Sequence, residues 1–153
     1  VDSVDGGASV GFLSPLDQET ARNYWHDVAE EMQREQKDLL LLRQDQQLVG
    51  AVQLAYSPKP NAQHRAEIQK LLVHSRHRRQ GYAQQLMHAA EEQARKRAKT
   101  LLVLDTRKGD ASEQLYGKLG YQKAGEIPGY ARSADGHSHA SVFFYKSIGE
   151  NAL

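Results

Sequence analysis

The stretch LLVHSRHRRQGYAQQLM at residues 71–87 decides the fold of this chain. It opens with the apolar end of a strand, Leu72-Val73, continues through a basic segment and reaches Gly81. Helical spacing then predicts an amphipathic helix over residues 81–98. Its apolar positions are Ala83, Leu86, Met87, Ala90 and Ala94. We therefore expect a buried strand that enters a helix through a short basic turn.

The basic turn has the properties of an anion site. A helix N-terminus presents unpaired backbone N–H groups and a partial positive charge, and a glycine lets an anion approach the backbone closely. Three arginines, Arg76, Arg78 and Arg79, lie between His74 and Gln80 with no acidic residue among them. These features favour a phosphate or pyrophosphate site, and a solvated basic loop at a helix start is the alternative. The glycine spacings of Walker loops and of dinucleotide-binding turns are absent.

The composition limits the possible classes of function. A length of 153 residues suits a single domain spanning residues 1–153, with the 39% hydrophobic content of a globular protein. The formal net charge of +1 argues against a nucleic-acid partner, and no apolar run reaches the roughly 20 residues of a membrane span. With no visible secretory signal, we expect a cytoplasmic protein. The chain has no cysteine, which excludes a disulfide scaffold, a zinc-thiolate site and a cysteine nucleophile.

Upstream of the turn, the pattern predicts one helix and three strands. The helix begins with Ser14 as its N-cap and Pro15 at its first position. Its apolar face contains Ala21, Trp25, Val28 and Met32. Residues 39–42 and 48–56 predict an antiparallel hairpin, and residues 66–73 predict the strand that leads into the turn.

Downstream of the turn, the pattern predicts a strand, a helix and two further strands. Residues 101–104 are wholly apolar, which is typical of a strand in a sheet covered on both faces. Asp110 and Glu113 predict a helix start resembling a capping box, and Gly120 ends that helix. The last two strands are expected at residues 121–126 and 141–148. This order of elements predicts an α/β domain built on a mixed sheet.

Three motifs resemble the GNAT superfamily of acetyltransferases. R-x-x-G-x-A at 78–83 resembles its acetyl-CoA loop, and LLVLD at 101–105 and SEQLYGKLGYQKAGE at 112–126 resemble later segments in the same order. The resemblance covers residues 39–148. It implies the acyl-CoA N-acyltransferase fold: a mixed, mostly antiparallel central sheet with a splayed parallel pair, flanked by helices. It also implies an enzyme with acetyl-CoA as cosubstrate.

The chain departs from the family pattern at two places. The first strand of the family is not recognisable before the first helix, so we expect an N-terminal strand to be missing or truncated. Many members carry an asparagine where this chain has Gly109, which removes the cofactor contact usually given to that side chain.

Three further stretches resemble the members of the superfamily that confer resistance to tabtoxin. They are GGASVGFL at 6–13, RAEIQKLLV at 65–73 and GEIPGYARSADG at 125–136. This resemblance implies a small-molecule acceptor, an amino-acid-like β-lactam toxin, that is acetylated on an amine.

The resemblance to the superfamily implies a set of contacts with acetyl-CoA. The backbone groups of Leu72 and Val73 are expected to bind the pantetheine like an additional strand, and one of their N–H groups to face the developing oxyanion. The pyrophosphate is expected on backbone N–H groups of the turn, which belong to Arg79, Gln80, Gly81, Tyr82 and Ala83. The side chain of Arg78 adds a direct charge contact.

Three side chains are candidates for catalysis. Without a cysteine, direct attack of the amine within a ternary complex is favoured. Tyr116 is the candidate general acid and cofactor contact, because a phenol can protonate a departing thiolate; spacing alone also allows a core aromatic beside Leu115. Asp105, at an expected strand end, is the candidate base, and a cap or turn residue is the alternative. Glu67 is the rival base, since family members often place an acid on the strand before the loop.

Four histidines lie in two short segments of the chain. His74, His77, His137 and His139 lack partners at a metal-binding spacing, so we expect solvated loop histidines and no metal.

The acceptor and its pocket are less closely specified by the sequence. Residues 129–139 are an alternative lining for the acceptor pocket. The acceptor is expected to be a small-molecule amine; a protein amine, a non-enzymatic acyl-CoA binder and another phosphate-ligand protein are the alternatives. We expect a monomer or a homodimer.

Overall fold

The computed structural model describes residues 1–8 and 10–149. Within them the chain forms four α-helices and one six-stranded sheet with the strand order β1-β2-β3-β4-β6-β5. The helices are α1 Asp2–Asp5, α2 Gln18–Gln33, α3 Tyr82–Lys96 and α4 Ala111–Lys118. The strands are β1 Lys37–Gln44, β2 Gln47–Tyr56, β3 Arg65–Val73, β4 Leu101–Arg107, β5 Gln122–Arg132 and β6 Ser138–Ser147.

The sheet contains one parallel pair of strands, and that pair separates. β3 is parallel to β4 but pairs with it only from Arg65 opposite Leu101 to Glu67 opposite Val103. Beyond Glu67, β3 continues along β2, whereas β4 is paired with β6 along its whole length. The expected mixed, mostly antiparallel sheet with a splayed parallel pair and flanking helices is therefore confirmed.

A β-bulge in β3 accompanies the separation. Gln69 lies opposite Gln53 and Leu72 lies opposite Ala51, so two residues of β3 face one residue of β2. Lys70, in the bulge, has a φ of 50°, in the left-handed region that side chains rarely adopt. A bulge bends a strand and increases its twist, and this one lies just beyond Glu67, the last residue of β3 that pairs with β4.

The core lies between the sheet and the two later helices. The buried face of α3 contains Leu86, Met87, Ala90 and Ala94, as the helical spacing predicts. These side chains pack with Ala66 and Ile68 of β3 and with Leu102 of β4. At roughly 25 cal/mol per Å² of buried apolar area, such burial is the main stabilising contribution.

Several local predictions differ from the structure. α2 begins at Gln18 rather than at Pro15, because Asp17 is its N-cap and accepts a hydrogen bond from Thr20 N at 2.8 Å. On its expected apolar face Val28 is buried, but Trp25 and Met32 are 39% and 40% exposed. Helical spacing identifies a face but not how much of it another element covers.

The strand β4 is also covered differently from the prediction. Leu102 and Leu104 are buried, whereas Leu101 and Val103 are half-buried on the opposite face. In the part of the chain that the structure describes, no strand or helix covers that face where β3 separates from β4. The apolar run at residues 101–104 therefore belongs to a strand that borders a cleft rather than to one covered on both faces. The strand ends at Arg107, and β5 and β6 are longer than expected.

Candidate functional site

The turn between β3 and α3 presents an open helix N-terminus. Gly81 is the N-cap of α3 with a φ of 80°, and no side chain caps the helix. The first turn contains no acidic residue, and a Cβ built on Gly81 meets no described atom within 4 Å. The first backbone N–H groups of α3 are therefore free to bind an anion.

The side chains around this turn have separate partners. The Tyr82 hydroxyl donates to the Gln44 side chain at the end of β1, while Arg79 and Gln80 are exposed. Arg78 extends toward the N-terminal segment, since a Cβ added at Gly6 would lie 2.8 Å from the Nη2 atom of Arg78. The expected contact of Arg78 with the pyrophosphate stays a prediction.

The residues before the turn form an edge that an extended chain fits. Leu72 and Val73 pair with β2 on one side, and after Glu67 the other side of β3 has no strand partner within the described residues. β3 and α3 both lie close to Gly50 of β2. A Cβ added at Gly50 would lie 2.9 Å from Leu72 O and 2.9 Å from Leu86 Cδ1. Free backbone groups beside an open helix N-terminus match a ligand with an amide-containing arm and a pyrophosphate.

One cavity brings the three catalytic candidates together. It has a volume of about 380 Å³ at the point where β3 and β4 separate, and Glu67, Asp105 and Tyr116 all line it. Tyr116 reaches it from α4, whereas the two carboxylates come from the two separating strands. Residues that are distant in the sequence therefore share a single site.

Tyr116 is both a core aromatic and a cavity residue. It is 6% exposed, and its ring centroid lies 5.9 Å from that of Tyr121 and 5.7 Å from that of Phe144. Burial, with the charges of Asp105 and Asp110, raises the pKa of Tyr116 to about 12. Tyr116 therefore holds its proton throughout the neutral range, more tightly than an ordinary phenol.

The two carboxylates lie on the open face of the sheet. Glu67 and Asp105 are both exposed and alternate with the buried residues Ala66 and Leu104 of their strands. A second cavity of about 430 Å³ is lined by both of them and by Val103 and Tyr130. Asp105 lies within β4 and, among the described residues, neither caps a helix nor forms an ion pair. The alternative role of Asp105 as a helix cap is therefore wrong.

Comparison with known families identifies the class of this protein. The model of the acetyltransferase (GNAT) family matches residues 10–121, a span that includes the separating strands, the turn and Tyr116. The chain belongs to the acetyltransferase (GNAT) family. The expectation of an acetyltransferase with acetyl-CoA as cosubstrate is thereby confirmed, and the non-enzymatic binder and the unrelated phosphate-ligand protein are set aside.

Solved structures agree with the GNAT fold. A ribosomal-protein-alanine N-acetyltransferase from Brucella melitensis superposes with a TM-score of 0.81 and 23% identity, covering 95% of this chain and 88% of its own. A Salmonella typhimurium protein solved with its cofactor acetyl-CoA superposes with a TM-score of 0.80 and 18% identity, and the match covers 99% of this chain and 85% of that one. An aminoglycoside 6'-N-acetyltransferase complexed with coenzyme A superposes with a TM-score of 0.67 and 18% identity, and the match covers 88% of this chain and 90% of that one. At these identities the likeness concerns the fold.

The histidines of this GNAT protein have local partners. His137 lies 3.1 Å from Asp135, and His139 Nε2 lies 2.6 Å from the Ser133 hydroxyl. His74 Nδ1 accepts a hydrogen bond from Arg76 N at 3.3 Å. Over residues 1–8 and 10–149, no three His, Cys, Asp or Glu side chains gather as a metal site would require. The helices described here are all too short or too polar to cross a bilayer.

One residue of the GNAT cleft, Lys70, was not predicted from the sequence. Lys70 lines the first cavity, and Tyr130 of β5 lines both cavities. Tyr130 belongs to the 129–139 segment considered as an acceptor lining, but that segment is largely strand rather than loop. The sequence carries no signal for Lys70, because a bulge that redirects a strand residue depends on pairing with another strand.

Proposed function

We propose that this chain transfers an acetyl group from acetyl-CoA to the amine of a small molecule by direct attack in a ternary complex. The observation that carries the proposal is the single cavity lined by Glu67, Asp105 and Tyr116 where β3 and β4 separate. It offers two proton acceptors and one proton donor beside the strand edge and helix N-terminus that suit the cofactor.

Two backbone regions hold the cofactor in this proposal. The free edge of β3 at Leu72 and Val73 binds the pantetheine, and one of these N–H groups donates to the oxygen on which charge develops. The N–H groups of residues 79–83 bind the pyrophosphate at the start of α3. Acetyl-CoA supplies the acetyl thioester when bound.

Proton movements are assigned to the three cavity side chains. Asp105 accepts the proton of the acceptor ammonium, which leaves the neutral amine needed for attack. Glu67 is the rival base and lines the same two cavities. Tyr116 donates its phenolic proton to the leaving sulfur, and the attacking nitrogen gives its second proton back to the phenolate as the amide forms. The raised pKa of Tyr116, about 12, keeps the phenol protonated before the reaction and makes it a weaker acid than an ordinary tyrosine.

For the acceptor, we propose a small amine of the amino-acid-like β-lactam class, as the resemblance to tabtoxin-resistance enzymes implies. A protein amine is the second candidate, because one structural neighbour is named a ribosomal-protein-alanine N-acetyltransferase. The aminoglycoside enzyme among the neighbours acts on a small molecule, so the structural likeness favours neither class. The cavity volume of about 380 Å³ lies within the range of small-molecule sites.

A thiol-release assay tests the proposal. Purified protein is incubated with acetyl-CoA and, separately, with tabtoxin-derived β-lactam, a set of free amino acids and amines, and peptides with a free N-terminus. Release of thiol with the small amines, matched by acetylated product in a mass spectrum, supports it. Turnover of peptides alone favours the protein-amine candidate. Binding of acetyl-CoA without turnover of any amine contradicts the assigned chemistry.

A further inference from the structure

Lys70 is a half-buried cation in the cleft that has no carboxylate partner among the described residues. Its side chain is half-buried, and among residues 1–8 and 10–149 no acidic group lies within 4.0 Å of its Nζ. The described hydrogen bonds do not include its Nζ either. A lysine withdrawn from water without a paired charge is uncommon, because removing an ammonium from water is costly.

Two aromatic rings hold this ammonium in position. Lys70 Nζ lies 5.9 Å from the ring centroid of Phe12 and 5.9 Å from that of Tyr24, distances typical of cation–π contacts. These rings themselves meet edge to face with centroids 5.1 Å apart. The bulge in β3 directs the side chain to this place, since Lys70 has a φ of 50°.

The ammonium lies between the catalytic cavity and a neighbouring apolar cavity. Lys70 lines the cavity of about 380 Å³ together with Glu67, Asp105 and Tyr116, and it also lines a third, mostly apolar cavity that Phe12 and Tyr24 border. Burial and the charge of Lys37 lower the pKa of Lys70, whereas the charges of Asp105 and Glu67 raise it. The two carboxylates are thus near enough to act on Lys70 without being paired with it.

The charges of the cleft complement an acceptor that has both signs. Glu67 and Asp105 suit the ammonium of an acceptor, and Lys70, on the side toward α2, suits an anion. The phosphates of the cofactor are expected elsewhere, at the start of α3, so they do not account for this cation. A carboxylate on the acceptor would supply a partner that no residue in the described part of the chain provides.

We propose that Lys70 binds a carboxylate of the acceptor and makes the enzyme selective for amines that also carry a carboxylate, such as amino acids. This inference rests on the proposed acetyltransferase function and assigns the subsite that selects the acceptor. Lys70 touches the substrate without taking part in proton transfer. Its removal therefore affects KM for acidic acceptors rather than kcat for all of them.

Matched acceptor pairs test this role. L-lysine, L-tyrosine, L-histidine and L-leucine are each compared with the amine left after decarboxylation, namely cadaverine, tyramine, histamine and isoamylamine. Thiol release gives kcat and KM, and calorimetry with the enzyme–CoA complex gives binding independently of turnover. We expect the wild type to prefer the acid of at least one pair, and Lys70→Met to lose on the order of 10- to 100-fold in kcat/KM for that acid. The loss lies mainly in KM, and the matching amine changes little.

Two variants separate recognition from folding. Lys70→Met keeps the length and the packing against Phe12 and Tyr24 but removes the charge, while Lys70→Arg keeps the charge and should restore part of the preference. An equal loss of kcat with acids and amines assigns Lys70 to the chemistry and overturns the proposal. Equal acceptance of both members of every pair by the wild type, or binding of none of the acids, also overturns it. If none of the acids binds but other amines are turned over, the acetyltransferase proposal still stands. If no acid binds and no amine is turned over, the Lys70 proposal and the acetyltransferase proposal are both contradicted.

Discussion

Tyr116 and Asp105 line one cavity from two different elements, α4 and β4. Burial of the phenol, together with the Asp105 charge, raises the pKa of Tyr116 to about 12. A negative charge beside a phenol disfavours the phenolate, so Tyr116 keeps its proton. One site therefore contains a phenol that holds a proton and a carboxylate that comes from a different element.

Replacement of Tyr116 by phenylalanine tests the donor. We expect Tyr116→Phe to lower kcat by roughly 10²- to 10⁴-fold, because the leaving sulfur loses its positioned acid. Affinity for acetyl-CoA, measured by calorimetry, should change much less. Tyr121→Phe is the matched control, since Tyr121 is buried beside Tyr116 but does not line the cavity. Unchanged turnover in folded Tyr116→Phe would remove this residue from the chemistry.

The identity of the base is decided by two isosteric variants. If Asp105 is the base, Asp105→Asn should lose on the order of 10²-fold or more in kcat at neutral pH with the fold retained, and Glu67→Gln should keep most of its activity. Each variant serves as the control of the other, since both side chains line the same two cavities. The opposite pattern in steady-state kinetics assigns the base to Glu67.

The open start of α3 is tested through Gly81. Gly81→Ala should weaken acetyl-CoA binding by about tenfold or more, because a left-handed φ of 80° disfavours alanine and the turn would shift. Gly136→Ala is the control, since Gly136 has a φ of 84° in the turn between β5 and β6 and equally open surroundings. Both variants should lose about 1 kcal/mol of stability, but only Gly81→Ala should bind the cofactor less tightly. Equal affinities in calorimetry would exclude the start of α3 as the anion site.

A pH-dependent contribution to stability is expected from Asp38 of β1. Its carboxylate accepts hydrogen bonds from Tyr56 at 2.7 Å and from Arg97 at 2.8 Å, and also from Gln93. Burial by itself raises the pKa of Asp38, but these hydrogen bonds outweigh it and the pKa is lowered. A lowered pKa in the folded state means that the stabilisation is present above the unfolded pKa of about 3.9. It is lost as the pH falls through the folded value.

We therefore expect Asp38→Asn to lower the free energy of unfolding at pH 7 by roughly 1–3 kcal/mol. Urea unfolding of wild type and variant should show this difference at pH 5 to 7 and a smaller one below about pH 4. Asp45→Asn, in the exposed turn between β1 and β2, is the control and should match the wild type. A difference that stays constant down to pH 3 would contradict the assigned cause.

Local patterns predicted most of the elements correctly. The hairpin, β3, α3 and the α4 segment all follow from spacing and turn residues within a window of about 15 residues. The predicted burial of the α2 side chains was wrong. Trp25 and Met32 share a helical face with Val28, yet of these three only Val28 is buried. Spacing reports which side chains share a face, whereas burial depends on which element packs against that face.

The sequence by itself determined the turn at residues 78–83. Gly81 and the start of a helix are specified by neighbouring residues, and the backbone N–H groups there suit an anion whatever the rest of the fold does. The tertiary structure alone decided that Glu67, Asp105, Tyr116 and Lys70 share one cleft. β4 pairs with β6 while β3 follows β2, and the bulge at Lys70 lies in β3 just beyond its last pairing with β4. These are pairings between strands far apart in the chain, and their energies depend on the whole sheet rather than on any local stretch.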